Sequence, residues 1–159
     1  MRTLISFITL YVLLVVLFEV SAEQVPDPAL RNASQGTFAD YLKIRDALQD
    51  ELFAAPDSFD LNWRITLAFY SLGTTAESED SRIDFFHQCA EQAKRMTISF
   101  PRKAEGYYLN ALCLGKKGQL EGLLTGLFVV SQLKRNMETA IRLDPTIESG
   151  GPHRALGRL

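Results

Sequence analysis

The sequence predicts an all-α protein. Apolar residues recur at steps of three and four over most of residues 37–143, which is the period of an amphipathic helix. Prolines and short polar segments interrupt this pattern, as expected between helices. No segment alternates apolar and polar residues with the period of a strand.

The first 22 residues are typical of a secretory signal peptide. Arg2 precedes an uncharged apolar run, Leu4–Phe18, and Val20-Ser21-Ala22 then supplies a cleavage site before Glu23. The run is short for a membrane span. We therefore expect residues 1–22 to be removed and the protein to be periplasmic or secreted. If the segment stays uncleaved, the protein is membrane-anchored.

Residues 23–36 contain two prolines and several polar residues, and they are predicted to form an irregular leader. The first helix covers about 37–53, where Phe38, Tyr41 and Ile44 begin a helical period. The segment around Pro56 ends it, and Asp57 or Ser58 can cap the second helix, over about 59–73.

Four more helices are predicted after a polar loop. The third begins at a cap formed by Asp80 or Ser81 and stops before Pro101, and the fourth covers about 102–117. The fifth covers about 119–143 and stops before Pro145. A sixth begins at Pro152, since proline is favoured in the first helical turn.

Two segments resemble the ends of tetratricopeptide repeats (TPRs). In Ala140–Pro145, alanine is followed five residues later by a proline that stops the helix, and Met96–Pro101 fits the same frame. The two prolines lie 44 residues apart, so the second unit is longer than the usual repeat of about 34 residues. The pattern predicts helical hairpins over 37–159.

The mature part also resembles the T component of TRAP transporters, a family of exported bacterial TPR-type proteins. The resemblance rests on Ala104–Tyr108, Leu114-Gly115-Lys116 and the ending Gly150–Leu159. It implies an α-solenoid, homo-oligomers, a cleft or pore for an apolar small molecule, and a periplasmic solute-binding receptor as partner. The chain stops at Leu159, inside the first helix of a third repeat, so the last repeat is expected to be incomplete and the solenoid C-terminally truncated.

Glycines recur every fourth residue at Gly118, Gly122 and Gly126. The apolar run that follows is too short for a membrane span, and the segment lacks the residue order of a phosphate-binding loop. Two functions stay open: close packing against another helix, or the lining of a ligand channel. The glycines could also simply divide the segment into two short helices.

Two other groups are candidates for a site. Tyr107 and Tyr108 fit either the core or an aromatic cleft at helical spacing. Gly150, Gly151, His153 and Arg154 form a motif whose polar pair could close the turn between repeats. Cys89 and Cys113 could form a disulfide in an exported protein or stay free in the core.

Composition argues against several function classes. The net charge of −2 gives no basic field for nucleic acid, and the two histidines stand far apart, so no metal site is expected. No nucleophile with a base and an orienting group is recognisable, so we expect neither an enzyme nor a cofactor. The leading hypothesis is a non-enzymatic exported helical-repeat protein that binds a partner protein or an apolar ligand. The alternatives are a structural scaffold that docks other cell-envelope proteins, and a truncated fragment without independent function.

Overall fold

The computed structural model describes residues 36–157, apart from the side chains of residues 123–128. The described helices are α1 (Phe38–Ala54), α2 (Phe59–Thr75), α3 (Glu79–Ser99), α4 (Ala104–Glu121), α5 (Leu123–Leu143) and α6 (Ile147–Leu156). No strand occurs between residues 36 and 157, which confirms the all-α prediction. In the same part of the chain, no helix is both long and apolar enough to span a bilayer. The predicted signal peptide (1–22) and the leader up to residue 35 lie outside the described residues.

Side-chain hydrogen bonds mark where the first three helices begin. Thr37 Oγ1 accepts from the backbone N–H of Asp40 at 3.2 Å, and Asp40 Oδ2 accepts from the backbone N–H of Thr37 at 3.0 Å. This reciprocal pair satisfies two donors that the helix leaves free. Ser58 and Ser78 each accept from the N–H three residues ahead, at 3.4 and 3.2 Å. The hydrogen bonds from Thr37 hold the pKa of Asp40 below its usual value.

Consecutive helices pack against each other in antiparallel pairs. At the start of α2, the Phe59 ring meets that of Phe100, just beyond α3, with centroids 5.4 Å apart. Near the end of α2, Gly73 lies against Phe86 in the first half of α3. Gly106 at the start of α4 likewise lies against the end of α3. The C-terminal ends of α1, α3 and α5 therefore lie at one end of the molecule, and those of α2 and α4 at the other.

The core consists of three clusters of buried side chains, and α4 belongs to all of them. Cys113 joins the first cluster, with α1, α2 and α3. Ala111 joins the second, with α5 and α6, and Leu109 joins the third, with α2 and α3. α4 is therefore the helix through which the two halves of the chain contact each other.

Buried amide side chains connect neighbouring helices. Gln92 Nε2 on α3 donates to Asn62 Oδ1 on α2 at 2.7 Å. Asn110 on α4 donates from Nδ2 to the carbonyl of Ala90 at 2.7 Å, and its Oδ1 accepts from Asn136 Nδ2 on α5 at 2.7 Å. These bonds offset the cost of burying polar groups and fix the register of one helix against the next.

The structure corrects two predicted helix boundaries. The helix predicted from 102 to 117 continues to Glu121, and the next begins at Leu123 rather than at 119. The reason is Gly122, whose φ of 99° and ψ of 174° lie in a region that essentially only glycine adopts. The predicted cap at Asp80 or Ser81 is also wrong, because Ser78 caps α3 and the helix begins at Glu79.

α6 contains a tight left-handed turn. Glu148, Ser149 and Gly150 have φ values of 46°, 54° and 80°, so the turn separates Ile147 from the helical residues that follow. The helical backbone resumes directly after Gly150, next to the predicted start at Pro152. Gly150, the first residue of the predicted motif that also contains Gly151, His153 and Arg154, thus belongs to a turn rather than to a regular helix. We call these four residues the C-terminal motif.

Candidate functional site

An open cleft lies between the first half of α3 and the end of α4. Its lining residues are Asp80, Ile83, Asp84, His87 and Lys117. The four residues of α3 fall at steps of three and four, so they share one face of that helix. Because α3 and α4 are antiparallel, the end of α4 lies beside the start of α3 and brings Lys117 to this face.

The cleft combines acidic and basic groups in contact with water. Asp84 Oδ2 accepts from Gln88 Nε2 at 2.8 Å, and Lys117 Nζ pairs with Glu121 Oε1 at 2.5 Å. Asp80 and His87 have no hydrogen-bonded partner among residues 36–157. The cleft can therefore offer a carboxylate to an incoming cation and an imidazole to an incoming polar group.

A disulfide in the core joins α3 and α4, the two helices that form the cleft. Cys89 on α3 and Cys113 on α4 form a disulfide, with Cα atoms 5.8 Å apart. Cys89 lies two residues after His87, and Cys113 lies one helical turn before Lys117. Both cysteines are fully buried. The disulfide, which the sequence left open, fixes the separation of the two helices directly under the cleft.

The three predicted glycines do not form one helix face. Gly118 is buried near the end of α4, whereas Gly122 is exposed and separates α4 from α5. A Cβ placed on Gly122 would have no neighbour within 4 Å among the described residues, so none of them packs closely against Gly122. Gly126 lies in the backbone of α5, and its surroundings are outside the described residues. The break at Gly122 is the physical reason, because it ends the helical period that the spacing implied.

The two predicted tyrosines have different positions. Tyr108 is buried in the second core cluster. Tyr107 is half-buried, and its hydroxyl donates to the carbonyl of Pro101 at 3.4 Å. Burial raises the pKa of Tyr108, and the nearby Glu148 carboxylate raises it further.

The C-terminal motif contacts Tyr108 directly. A Cβ placed on Gly151 would come within 2.8 Å of Tyr108 Cζ, so only glycine leaves room for the ring. Arg154 donates from Nη2 to the carbonyl of Glu148 at 2.9 Å and from Nη1 to that of Ser149 at 2.5 Å. Its guanidinium therefore closes the left-handed turn. His153 is exposed on the surface.

Comparisons of the chain with known proteins give no relative. No protein-family model, curated protein or solved structure matches it.

The cleft residues are not recognisable as a site from the sequence. Asp80, Asp84 and His87 fall at i, i+4 and i+7, a spacing that was available as a signal. The spacing also fits any solvated helix face, and Lys117 is 30 residues further along the chain. Within the described chain, no group of three His, Cys, Asp or Glu side chains is arranged to hold a metal ion.

Proposed function

We propose that this chain is a non-enzymatic exported helical-repeat protein that binds a partner protein, as its resemblance to the T component of TRAP transporters implies. The observation that carries the proposal is the open, charged cleft between α3 and α4 on a scaffold of paired helices. The partner implied by the resemblance is a periplasmic solute-binding receptor or another envelope protein.

The ends of alternate helices support a repeated hairpin. α1, α3 and α5 are each followed by a capping residue and then a proline: Ala55-Pro56, Phe100-Pro101 and Asp144-Pro145. In each case the N–H of the capping residue donates to the carbonyl four residues before it. The prolines lie 45 and 44 residues apart. The same local structure at nearly constant spacing is expected of a TPR-like solenoid with elongated units.

The amide hydrogen bonds between helices repeat with the same spacing. Gln92 and Asn136 lie 44 residues apart, on α3 and α5. Each donates its side-chain amide to an asparagine on the preceding helix, Asn62 for the first and Asn110 for the second. The two hairpins, α2–α3 and α4–α5, are therefore held by equivalent bonds.

The form of the cleft favours a protein surface over an enclosed apolar ligand. Four of its five lining residues are ionisable, and it is open to water. Small apolar ligands instead bind in concave sites lined mostly by apolar side chains. Tyr108, which the sequence offered for such a site, is packed in the core. A partner segment with a lysine or arginine directed at Asp80 and Asp84 fits the exposed charges.

A cross-linking experiment in the source cells tests the cleft. A photo-reactive residue replaces Ile83, and a matched one replaces Glu91, which is exposed on the same helix outside the cleft. We expect one discrete cross-linked partner from position 83 and none from position 91. The partner is then purified, and its affinity for the chain and for the Asp80→Asn/Asp84→Asn variant is measured by calorimetry.

The charge variant should bind at least tenfold more weakly, with less dependence on salt. Equal cross-linking from both positions would rule out a specific site in the cleft. A specific partner that is not a solute-binding receptor would keep the cleft but remove the proposed link to TRAP transporters.

Export is tested separately. Mass analysis of the protein from the cell envelope should give an N-terminus at Glu23, because cleavage is expected after Ala22. An N-terminus at Met1 in the membrane fraction would instead indicate an anchor.

A further inference from the structure

The two most exposed large apolar side chains of the described residues lie at the same end of the molecule. Phe53, in the last turn of α1, is 92% exposed, and Ile98, in the last turn of α3, is 73% exposed. Because consecutive helices are antiparallel, these two turns lie at the same end of the molecule as the start of α2. Each side chain exposes apolar surface that the described residues of its own chain do not cover.

Phe53 is surrounded by acidic residues, which we call the acidic corner: Asp50, Glu51 and Asp57. All three are exposed. Residues 46–63 contain five carboxylates and no lysine or arginine. Among the described residues, none of the three carboxylates of the acidic corner has a salt-bridge partner. The acidic corner therefore has a local negative field that no cation among residues 36–157 neutralises in an ion pair.

Ile98 is surrounded by basic residues, which we call the basic corner: Lys94, Arg95, Arg102 and Lys103. All four are exposed. Residues 92–104 contain these four cations and no carboxylate. In the part of the chain that the structure describes, none of them pairs with an acid. Lys103 instead lies over the Phe59 ring, 4.7 Å from its centroid, at the start of α2.

We propose that this end of the molecule binds a second copy of the chain in a two-fold symmetric dimer, in which the acidic corner of each copy faces the basic corner of the other. A two-fold axis that passes between the two corners, perpendicular to the helix axes, exchanges them. Such an interface is self-complementary, and it closes at two copies. Each Phe53 then packs beside the partner's Ile98, and the paired charges of the two corners surround this apolar contact.

A second copy explains both corners, whereas other occupants explain only one. An anionic bilayer would attract the basic corner but repel the acidic corner and leave Phe53 exposed to water. A basic protein would bind the acidic corner alone. The dimer also leaves the α3–α4 cleft free, because that cleft lies toward the opposite end of α3. The inference therefore stands independently of the proposed partner.

Charge reversal gives the sharpest test, using the chain in the form in which it accumulates in its cells. One variant carries Lys94→Glu and Arg102→Glu, and the other carries Asp50→Lys and Asp57→Lys. Like charges then face each other in either homodimer, so each variant alone should sediment as a monomer under conditions where the wild type is a dimer. An equimolar mixture restores opposite charges at both contacts and should form a one-to-one heterodimer.

The apolar contribution is tested by truncation. Phe53→Ala and Ile98→Ala should each weaken dimerisation at least tenfold in sedimentation equilibrium, because each removes buried apolar area at the interface. The matched control is Val130→Ala, which truncates another exposed apolar side chain, on the first half of α5 at the opposite end. Its dimerisation constant should equal that of the wild type. Circular dichroism checks that each variant keeps its helices.

Several outcomes would overturn the inference. A wild type that stays monomeric throughout the concentration series would do so, as would charge variants that dimerise like the wild type. Growth of the mixture into larger assemblies would indicate a head-to-tail contact instead of a two-fold dimer. A monomer that binds vesicles of anionic phospholipid, and loses that binding with Lys94→Glu/Arg102→Glu, would assign the basic corner to a membrane surface.

Discussion

At the residue scale, two glycines of one segment should respond oppositely to substitution. Gly122 needs its positive φ, so Gly122→Ala should destabilise the fold by about 1–3 kcal/mol. Gly122→Leu should cost the same amount, since no described residue lies within 4 Å of a Cβ there. Gly115 is helical, and its Cβ would meet Leu133 at an ordinary 3.7 Å. Gly115→Ala should stabilise by about 1 kcal/mol. Urea unfolding midpoints measure the stability of all three variants. A much larger loss of stability for Gly122→Leu than for Gly122→Ala would indicate overpacking instead.

The disulfide makes a second prediction at this scale. Cys89 and Cys113 are 24 residues apart in sequence, and a cross-link over such a loop typically stabilises by about 3 kcal/mol. Adding a reductant should lower the free energy of unfolding of the wild type by about that amount. The Cys89→Ala/Cys113→Ala variant serves as the control, since its denaturation curve should not depend on reductant. Identical wild-type curves with and without reductant would contradict a bond in solution.

Two tyrosines, the half-buried Tyr70 and the buried Tyr108, predict how stability changes in alkali. Burial raises the pKa of Tyr70 and of Tyr108 above 10.0 in the folded protein. A raised pKa means that the phenol's contribution to stability is complete below pH 10. That contribution is lost as the pH rises through the pKa of the folded state. Stability should therefore fall above about pH 10. The Tyr70→Phe/Tyr108→Phe variant should lose less stability between neutral and alkaline pH, as followed by urea unfolding at each pH. Parallel pH profiles would show that other groups control the alkaline limit.

At the scale of the helices, Asn110 should couple α4 to α5. Its Oδ1 accepts from Asn136 Nδ2, so removing either partner leaves a part-buried polar group unpaired, which costs about 1–3 kcal/mol. Asn110→Ala and Asn136→Ala should each destabilise by such an amount, and the double variant by less than the sum. We expect a coupling energy of about 0.5–1.5 kcal/mol in the double-mutant cycle. The pair Asn136→Ala and Gln92→Ala provides a control, because these residues share no hydrogen bond. Strict additivity at 110 and 136 would mean that the bond does not form in solution.

Most helices could be predicted from the sequence because their ends depend on local chemistry. Pro56 and Pro101 stop helices wherever they occur, and the structure places α1 and α2 within two residues of their predicted bounds. The break at Gly122 could not be located, because Gly118 and Gly126 have the same local preferences. Which glycine takes the positive φ depends on where α5 must turn to pack against α4, and that is a tertiary property.

The candidate site was less predictable for a related reason. Asp80 and His87 look like residues of any solvated helix face. They line a cleft only because the Cys89–Cys113 disulfide and the antiparallel packing bring Lys117 beside them. The two charged corners depend in the same way on which helix ends lie together, and no local pattern contains that information.

At the scale of the whole molecule, the position of α4 predicts how the fold opens. In a simple repeat stack, each unit contacts only its neighbours, so damage stays local. Here α4 belongs to every core cluster, and Leu109 on α4 is 1% exposed within the cluster that it shares with α2 and α3. Leu109→Ala should cost about 2–5 kcal/mol. It should also lower amide-exchange protection in α2 and α3, which share this cluster with Leu109, and in α5, because α5 packs on α4 in the second cluster.

Ile147 gives the matched comparison for this prediction. It is buried to 7% exposure in the second cluster, at the edge formed by α5 and α6. Ile147→Ala removes a side chain of the same size class, but it should reduce exchange protection mainly in α6 and the end of α5. Hydrogen exchange followed by mass spectrometry of peptides resolves these regions. If Leu109→Ala lowered protection only near α4, the two halves of the chain would be independent hairpins, and the core would not act as one cooperative unit.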